Sequence, residues 1–538
     1  MSETAQYRAD PKAAGDADPV IRQITEVVGS DRILTGEDDR AFYSQDIFAQ
    51  GEIAAAVVRS RTTKDLSAAV QAATKAGYAV FPRGGGMSYT DGYIPTVAKS
   101  ISVDTRAMDQ ILEINEADMY VTVQPGVTWA ELDTALAEKG LRTPFWGPFS
   151  GMFATVGGSV SQNAVSFGSG TAGPASDSVI GLEIVLANGE VLKTGTGGGE
   201  FAKPFFRHFG PDLTGLFLGD AGSLGVKASI SLRLMKRRPA IAAFSYNFAS
   251  FDALAEAMSA VAREDVATEA YGMDPELNRT NLGRAEGQST GAKLQALLAV
   301  GRSGRGPIDA LRQMTRVVFS GTSAFSQVEF AAHFSVEGED DATARAKGNL
   351  LRRACDPHGT EIDNTIPQVF RAMPFQPMNN IILHPTGMRW VPCHGILPLS
   401  ETIAFHNDLQ ALYESYSDKM RQNKVIKAAM YTTSLNGFLY EPVFYWEDQR
   451  EDFHRRVMDD EVLAQMKEFD PNPEGRALVQ EMKKAIIDLF HRHGATHMQC
   501  GKVYPLLRNR NPAAVSLLKS VKSELDPHNL MNPGALGL

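Results

Sequence analysis

Apolar and polar positions along the chain fall into blocks that switch between the two-residue repeat of strands and the 3.6-residue repeat of helices. Ile53–Val58 reads as a strand, and Thr63–Ala76 as a helix with Leu66, Val70 and Ala73 on one face. Ala79–Phe81 is a short buried strand that runs into Gly84-Gly85-Gly86. Strands follow at Ser100–Val103 and Tyr120–Val123, then a turn at Pro125-Gly126 and a helix over Trp129–Glu138 closed by Gly140. Gly181–Ala187 and Val191–Lys193 form a hairpin pattern joined at Asn188-Gly189.

After Arg238 the pattern changes. Strands such as Ala242–Phe248 alternate with amphipathic helices at Phe251–Ala262 and Ala342–Ala354, which predicts a second α+β domain running to about Thr496. The final segment, Tyr504–Leu538, ends in Leu525-Asp526-Pro527-His528-Asn529-Leu530-Met531-Asn532-Pro533-Gly534, which is turn chemistry. Gly147–Gly173 fits neither repeat: it is dense in Gly, Ser, Thr and Asn, too long for a simple connector and too small in side-chain volume for a core. Such a stretch is suited to wrapping around something.

Composition narrows the class. The 538 residues are enough for two or three domains, and 43% hydrophobic with 22% charged residues is ordinary globular composition. A formal net charge of −10 argues against a dedicated nucleic-acid binder. The three cysteines, Cys355, Cys393 and Cys500, are widely spaced and odd in number, so neither a disulfide framework nor a cysteine zinc cluster is expected. The start of the chain lacks the basic head and apolar run of a secretory signal, and no stretch approaches the roughly 20 apolar residues of a membrane span. A cytoplasmic protein is the expectation.

Three glycine segments carry the candidate chemistry. In Arg83-Gly84-Gly85-Gly86-Met87-Ser88, consecutive glycines let successive N–H groups point into one concavity, an anion nest suited to a pyrophosphate. The spacing is not the G-x-G-x-x-G of a dinucleotide fold, so Asp104 is not assigned to a ribose, and there is no P-loop lysine. The run Thr155-Val156-Gly157-Gly158-Ser159 through Asn163 offers N–H, hydroxyl and amide groups for a flat polar ring, or simply a tight turn before a short helix. Gly222-Ser223-Leu224-Gly225-Val226 repeats the theme.

The ordered set is more specific than any one segment. Arg83–Gly86, Val103-Asp104, Val123-Gln124-Pro125-Gly126-Val127, Thr155–Gly158, the hairpin from Gly181 to Gly189, Leu213–Phe217, Gly222–Gly225 and the closing Leu525–Gly534 together resemble the vanillyl-alcohol oxidase and p-cresol methylhydroxylase superfamily. The resemblance implies an α+β protein: an N-terminal arm (1–18), a two-subdomain FAD-binding domain (19–240), and a cap domain (241–496) with an antiparallel sheet flanked by helices. A C-terminal segment (497–538) would return to the FAD domain.

It further implies that Arg83, Gly84, Gly85, Gly86, Met87 and Ser88 hold the FAD pyrophosphate. Pro125, Gly126, Thr155, Gly157, Gly158, Ser159, Asn163, Gly222, Gly225, Val226 and Asn532 would line the rest of the cofactor. Met87 stands where many members carry a histidine bonded to the flavin, and a thioether cannot make that bond. FAD is therefore expected to be non-covalent, with a tyrosyl link through Tyr440 as the alternative. Hydride transfer from a small-molecule substrate to flavin follows from the cofactor. Oxygen or a redox partner would be the electron acceptor, and a homodimer the assembly.

The substrate stays open between readings. An aromatic or para-phenolic alcohol would use Tyr89, His394, Tyr440 or His497 as pocket residues. A 2-hydroxy acid of glycolate or D-lactate type would need a cation for its carboxylate and a base at its hydroxyl, for which Arg389 and His394 are candidates. No paired-histidine metal pattern is visible, so no metal is expected. A non-catalytic flavin-binding protein is the third reading.

Overall fold

The computed structural model describes residues 18–287, 328–375, 377 and 381–538; the arm expected at 1–18 lies outside them except for Asp18. A four-stranded sheet runs in the order Ile33–Leu34, Ala56–Arg59, Ser100–Asp104, Ala79–Arg83, with its last three strands parallel. The parallel strands are buried on both sides, which is why they read as near-continuous apolar runs. Helix Thr63–Lys75 covers one face through Leu66, Val70 and Ala73, as its periodicity predicts, and Thr62 caps it by accepting the Asp65 N–H at 3.1 Å.

A five-stranded antiparallel sheet follows, ordered Ile111–Asn115, Tyr120–Val123, Val226–Arg233, Val179–Val185, Val191–Lys193. Its core is shared with helix Trp129–Ala137 through Trp129, Leu132 and Leu136. The strand Ile111–Asn115 is half exposed and weakly patterned, and only the pairing of its neighbour reveals it.

The third sheet has eight strands. Along it lie Thr360–Ile362, Ala240–Phe248, Phe330–Gly338, Glu269–Met273, Val425–Ser434, Gly437–Trp446 and Arg389–Pro392, with Gly395–Pro398 also paired to Gly437–Trp446. One face meets helices Phe251–Glu264, Asp341–Cys355, Thr402–Ser415 and Pro473–Arg492. Phe438, Tyr440, Phe444 and Trp446 share a core with Leu254, Leu351, Phe405 and Met482. Alternation sends Leu439 to the other face, where it packs on Val165 and Met498, and Glu441 lies on that same face. That inner face looks toward the glycine-rich segments.

The closing segment returns to the first sheet. Val80 N–H donates to Leu530 O at 2.8 Å and Asn532 N–H to Val80 O at 2.9 Å, so Met531 lies alongside Val80 as an added parallel bridge. Helix Pro512–Leu525 ends where the turn chemistry begins, and the Asp526 carboxylate accepts the N–H groups of Leu530 and Met531. Within the glycine-rich stretch the structure forms two short helices, Val156–Gln162 and Ser169–Ala172.

Candidate cofactor cleft and cap face

The strand Ala79–Arg83 delivers the chain at the sheet edge into Gly84-Gly85-Gly86, and these glycines touch the second segment with no room for a side chain. A Cβ on Gly85 would stand 1.9 Å from the carbonyl oxygen of Phe153, and one on Gly84 2.5 Å from Thr155 Oγ1. Gly157 presses on Pro125 and Gly222 on Pro82 in the same way. The three segments predicted from sequence thus meet around one open cleft. Arg83, Gly84, Gly85, Gly86, Met87, Ser88, Pro125, Thr155, Gly157, Gly158, Ser159, Gly222, Gly225 and Val226 all line it.

Three of the cofactor residues expected from sequence stand behind the wall instead. Gly126 packs against Thr105 O and donates its N–H to Met108 O at 2.7 Å. Asn163 ends the helix Val156–Gln162 in the left-handed region and accepts the Ser176 N–H at 3.2 Å. Asn532 is fully buried, donating to Gly92 O and Ala221 O and accepting from Lys502 at 2.7 Å, so it braces two glycine segments from outside.

Arg83 organises the loop. Its guanidinium is buried among the rings of Phe42, Tyr43 and Tyr93, 4.6 to 5.2 Å from their centroids, and its Nε and Nη1 have no hydrogen-bond partner. Asp104 is occupied elsewhere. Burial pushes its carboxyl up, but the paired Arg106 guanidinium and the Tyr43 hydroxyl at 2.7 Å outweigh this and hold it at about 2. It is a brace for the sheet edge and not a ribose ligand.

The cleft also holds residues that sequence reasoning missed. Gln162 lines it with a buried Oε1 that no donor satisfies, and Gln499 enters from the closing segment. Lys227 forms part of the wall and is buried against Asp220; burial lowers its pKa and the carboxylate opposes that. Glycine patterning could not reveal these, because Lys227 sits inside a strand that follows the third glycine segment and Gln499 comes from a remote segment.

FAD fits this cleft by its chemistry. Crowded glycines leave the backbone itself as the wall, the uncommitted guanidinium nitrogens of Arg83 lie beside it, and Gln162 offers an unpaired acceptor.

The catalytic candidates separate by strand parity. Tyr89 lies next to the lining residue Ser88, buried, with its ring 5.6 Å from Trp390 and its hydroxyl 3.5 Å from Glu441 Oε2. Burial raises the Tyr89 pKa well above its ordinary value, and the Glu441 charge adds to that. Burial also raises Glu441, to about 7, despite the Tyr89 contact. Glu441 was not anticipated, although it directly follows Tyr440.

Tyr440, one residue earlier, points the other way. Its hydroxyl meets His406 Nδ1 at 2.8 Å among Phe251, Phe405 and Tyr431 on the helix side of the sheet. Tyr440, the expected alternative for a flavin bond, does not line the cleft and lies on the far side of the sheet from Glu441.

Arg389 also lies away from the cleft. It is fully buried on the helix side, donating to Glu451 Oε1 at 3.2 Å and Gln449 O at 3.2 Å beside Asp448, and it does not line the cleft. His394 is fully buried. Its Nε2 donates to Met498 O at 2.8 Å, its Nδ1 faces the Tyr504 hydroxyl at 3.3 Å, and burial lowers its pKa to about 3. It is a neutral brace with no nitrogen to spare. His497 donates from Nδ1 to His394 O at 2.7 Å, stacks on Tyr504, and is lowered by burial to about 4. The histidines therefore join the closing segment to the cap.

A smaller indentation opens on the inner cap face between Phe167, Tyr271, Phe370 and His333. Arg371 borders it and bridges Glu269 at 3.3 Å and Glu337, while Arg142 holds the other oxygen of Glu337 at 2.5 Å. Both arginines are neutralised by these carboxylates.

Residues 54–195 match the model of the FAD binding domain, and residues 454–536 that of the C-terminal domain of FAD linked oxidases. Glycolate oxidase subunit GlcD of Bacillus subtilis is 32% identical over 241 residues, covering 45% of this chain and 50% of its own length. The mitochondrial D-lactate dehydrogenase (cytochrome) of Arabidopsis thaliana is 30% identical, covering 43% of this chain and 38% of its own. The chain thus spans half or less of the length of these relatives. Among solved structures, p-cresol methylhydroxylase with substrate bound superposes with a TM-score of 0.72 at 16% identity over 96% of both chains. The 4-ethylphenol oxidase of Gulosibacter chungangensis superposes at 0.65 and 17% identity, again over 96% of both.

Proposed function

For this chain, an FAD-binding flavoprotein with the fold of p-cresol methylhydroxylase, we propose an oxidoreductase that removes a hydride from an alcohol-type carbon of an aromatic or para-phenolic substrate. The observation that carries this reading is the buried Tyr89–Glu441 pair, on the inner face of the eight-stranded sheet and one residue on from the cleft-lining Ser88, with Trp390 beside it. In this reading the cofactor domain runs over 19–240, the cap over 241–496, and 497–538 closes the site.

When bound, FAD supplies a two-electron acceptor for the substrate hydride. The chain's own residues handle position and proton. A carboxyl raised to about 7 is half ionised near neutral pH, so Glu441 takes the substrate hydroxyl proton and Tyr89 orients that hydroxyl. Trp390 supplies an aromatic wall, and the Gln162 acceptor would help hold the cofactor in the cleft.

The 2-hydroxy-acid reading draws support from the likeness to glycolate oxidase subunit GlcD and to D-lactate dehydrogenase. It requires a cation for the substrate carboxylate, and Arg371 and Arg389 each carry carboxylate partners already. The test is anaerobic: 4-hydroxybenzyl alcohol, glycolate and D-lactate are each mixed with the flavin-loaded protein and the visible flavin band is followed. Bleaching by the phenolic alcohol alone is the expected result. Bleaching by the hydroxy acids alone transfers the assignment to them, and bleaching by none leaves a flavin-binding protein without this activity.

A further inference from the structure

Gln499 stands where the closing segment crosses from the cap sheet to the glycine loops, and both sides hold it. On the cap side, Ile396 and Thr496 exchange backbone hydrogen bonds at 2.7 and 2.9 Å, and Met498 O accepts from His394 Nε2 at 2.8 Å. On the other side, the Gln499 N–H donates to Gln162 O at 2.6 Å, and the Lys502 N–H to Thr90 O at 3.0 Å, one residue on from Tyr89. Between these anchors Gln499 takes a left-handed backbone, φ 47°, which residues with a Cβ disfavour. The fold holds this residue in a costly conformation, and its side chain lines the cleft.

The polarity of its contact with Tyr89 follows from counting protons. The Tyr89 hydroxyl has one proton, and an ionised Glu441 carboxylate can only accept, so that proton goes to Glu441 Oε2. The Gln499 side chain, bonded to the same hydroxyl, must then donate an amide N–H to the Tyr89 oxygen. The two neighbours act on Tyr89 in the opposite senses this requires: Glu441 raises its pKa and Gln499 lowers it. A hydroxyl that receives a hydrogen bond gives a stronger one, so the amide reinforces the bond to the carboxylate and favours its ionised form.

The other titratable groups around the pair place no competing charge on Glu441. Burial raises the Tyr504 hydroxyl and the Cys393 thiol, so both are neutral, and it lowers His394, which is neutral too. The Lys483 charge faces Cys393, Asp46 and Asp91.

We propose that Gln499 is a positioning residue: its amide N–H fixes the Tyr89 hydroxyl with the proton toward Glu441, and so keeps that carboxylate ready to take the substrate proton. This rests on the role given to Glu441 above, and the test therefore has one arm that needs no substrate.

In that arm, the carbonyl stretch of protonated Glu441 in the flavin-loaded protein is isolated by infrared difference against Glu441→Gln and titrated with pH. Gln499→Met keeps the bulk and removes the donor; it is expected to move the midpoint upward by about half a pH unit with the flavin spectrum unchanged. Gln499→Asn suits the left-handed backbone, draws the amide back by one methylene and is expected to do the same. In a Tyr89→Phe background neither substitution is expected to shift the midpoint, because the relay is gone. The second arm follows anaerobic bleaching by 4-hydroxybenzyl alcohol. There Gln499→Met is expected to lower kcat/KM about threefold at pH 6 and hardly at all at pH 9, whereas lost packing alone would lower both alike. An unmoved midpoint in both variants, or the same shift in the Tyr89→Phe background, overturns the proposal. If the alcohol does not bleach the flavin, the proposed function fails and the infrared midpoint alone decides the role of Gln499.

Discussion

The Tyr89 hydroxyl and Glu441 Oε2 lie 3.5 Å apart although 352 residues separate them, one carried by the first glycine loop and the other by the central hairpin of the cap sheet. The Gln499 side chain, which lines the cleft, is also hydrogen-bonded to the Tyr89 hydroxyl. Glu441→Gln removes the proton acceptor and keeps the shape. A loss of roughly 10²- to 10⁴-fold in kcat/KM is expected with flavin still bound, measured by stopped-flow bleaching.

The same carboxyl sets a pH dependence. Its folded pKa of about 7 lies above the ordinary glutamate value, so activity that needs the ionised form rises with pH through about 7, and Glu441→Gln flattens that limb. Stability runs the opposite way. The raised pKa favours the fold below the ordinary carboxylate range, and that contribution is lost as pH climbs to 7 and beyond. Thermal melts at pH 5 and pH 8 are expected to differ less for Glu441→Gln than for the wild type.

Gly85→Ala places a methyl group where the Phe153 carbonyl oxygen already stands, 1.9 Å from the new Cβ. The two loops must separate, and the cleft wall goes with them. Flavin affinity is expected to fall by at least about 100-fold, equivalent to roughly 3 kcal/mol, read by fluorescence titration of the apoprotein with FAD. Unchanged affinity would dissociate the glycine contact from cofactor binding.

Arg389→Met tests a residue whose cation is spent inside the fold. Glu451 and Asp448 would lose their buried partner, and a cost of about 3 to 5 kcal/mol in unfolding free energy is expected from denaturant titration. The KM for substrate is expected to change little. A large rise in KM for glycolate or D-lactate at near-normal stability would instead place Arg389 at a carboxylate.

Tyr440→Phe removes a hydroxyl bonded to His406 on the helix side of the cap. About 1 kcal/mol of stability is at stake. Acid precipitation is expected to leave yellow flavin in the supernatant for wild type and variant alike; colour in the wild-type pellet that Tyr440→Phe abolishes would overturn the placement.

The glycine segments were legible because close approach of two backbones demands a missing side chain, and glycine is the residue that meets the demand whatever the neighbours are. Gly85 and Gly157 are such contacts, Gly84 and Gly222 press instead on the side chains of Thr155 and Pro82, and all four line the cleft. Strand parity was not legible. Gly437–Trp446 is buried on both faces, so hydropathy does not alternate along it and cannot tell which of Tyr440 and Glu441 looks inward. Arg389 and Trp390 pose the same ambiguity, and Pro392 at the strand's end blurs it further. His394 and His497 looked reactive because imidazole titrates near neutrality; that the first would be buried, the second half-buried and both bonded to backbone oxygens depends on the fold of the closing segment. Lys227 and Asp220 meet across a turn whose geometry no spacing rule predicts.

The bridge between Met531 and Val80 orders events in time as well as in space. The strand from which the first glycine loop springs gains its outer neighbour only once residue 532 has emerged from the ribosome, with Asn532 then tying Gly92 to Ala221. Flavin capture is therefore expected to come late in synthesis, with nascent chains halted before that point remaining colourless however well their earlier sheets have formed.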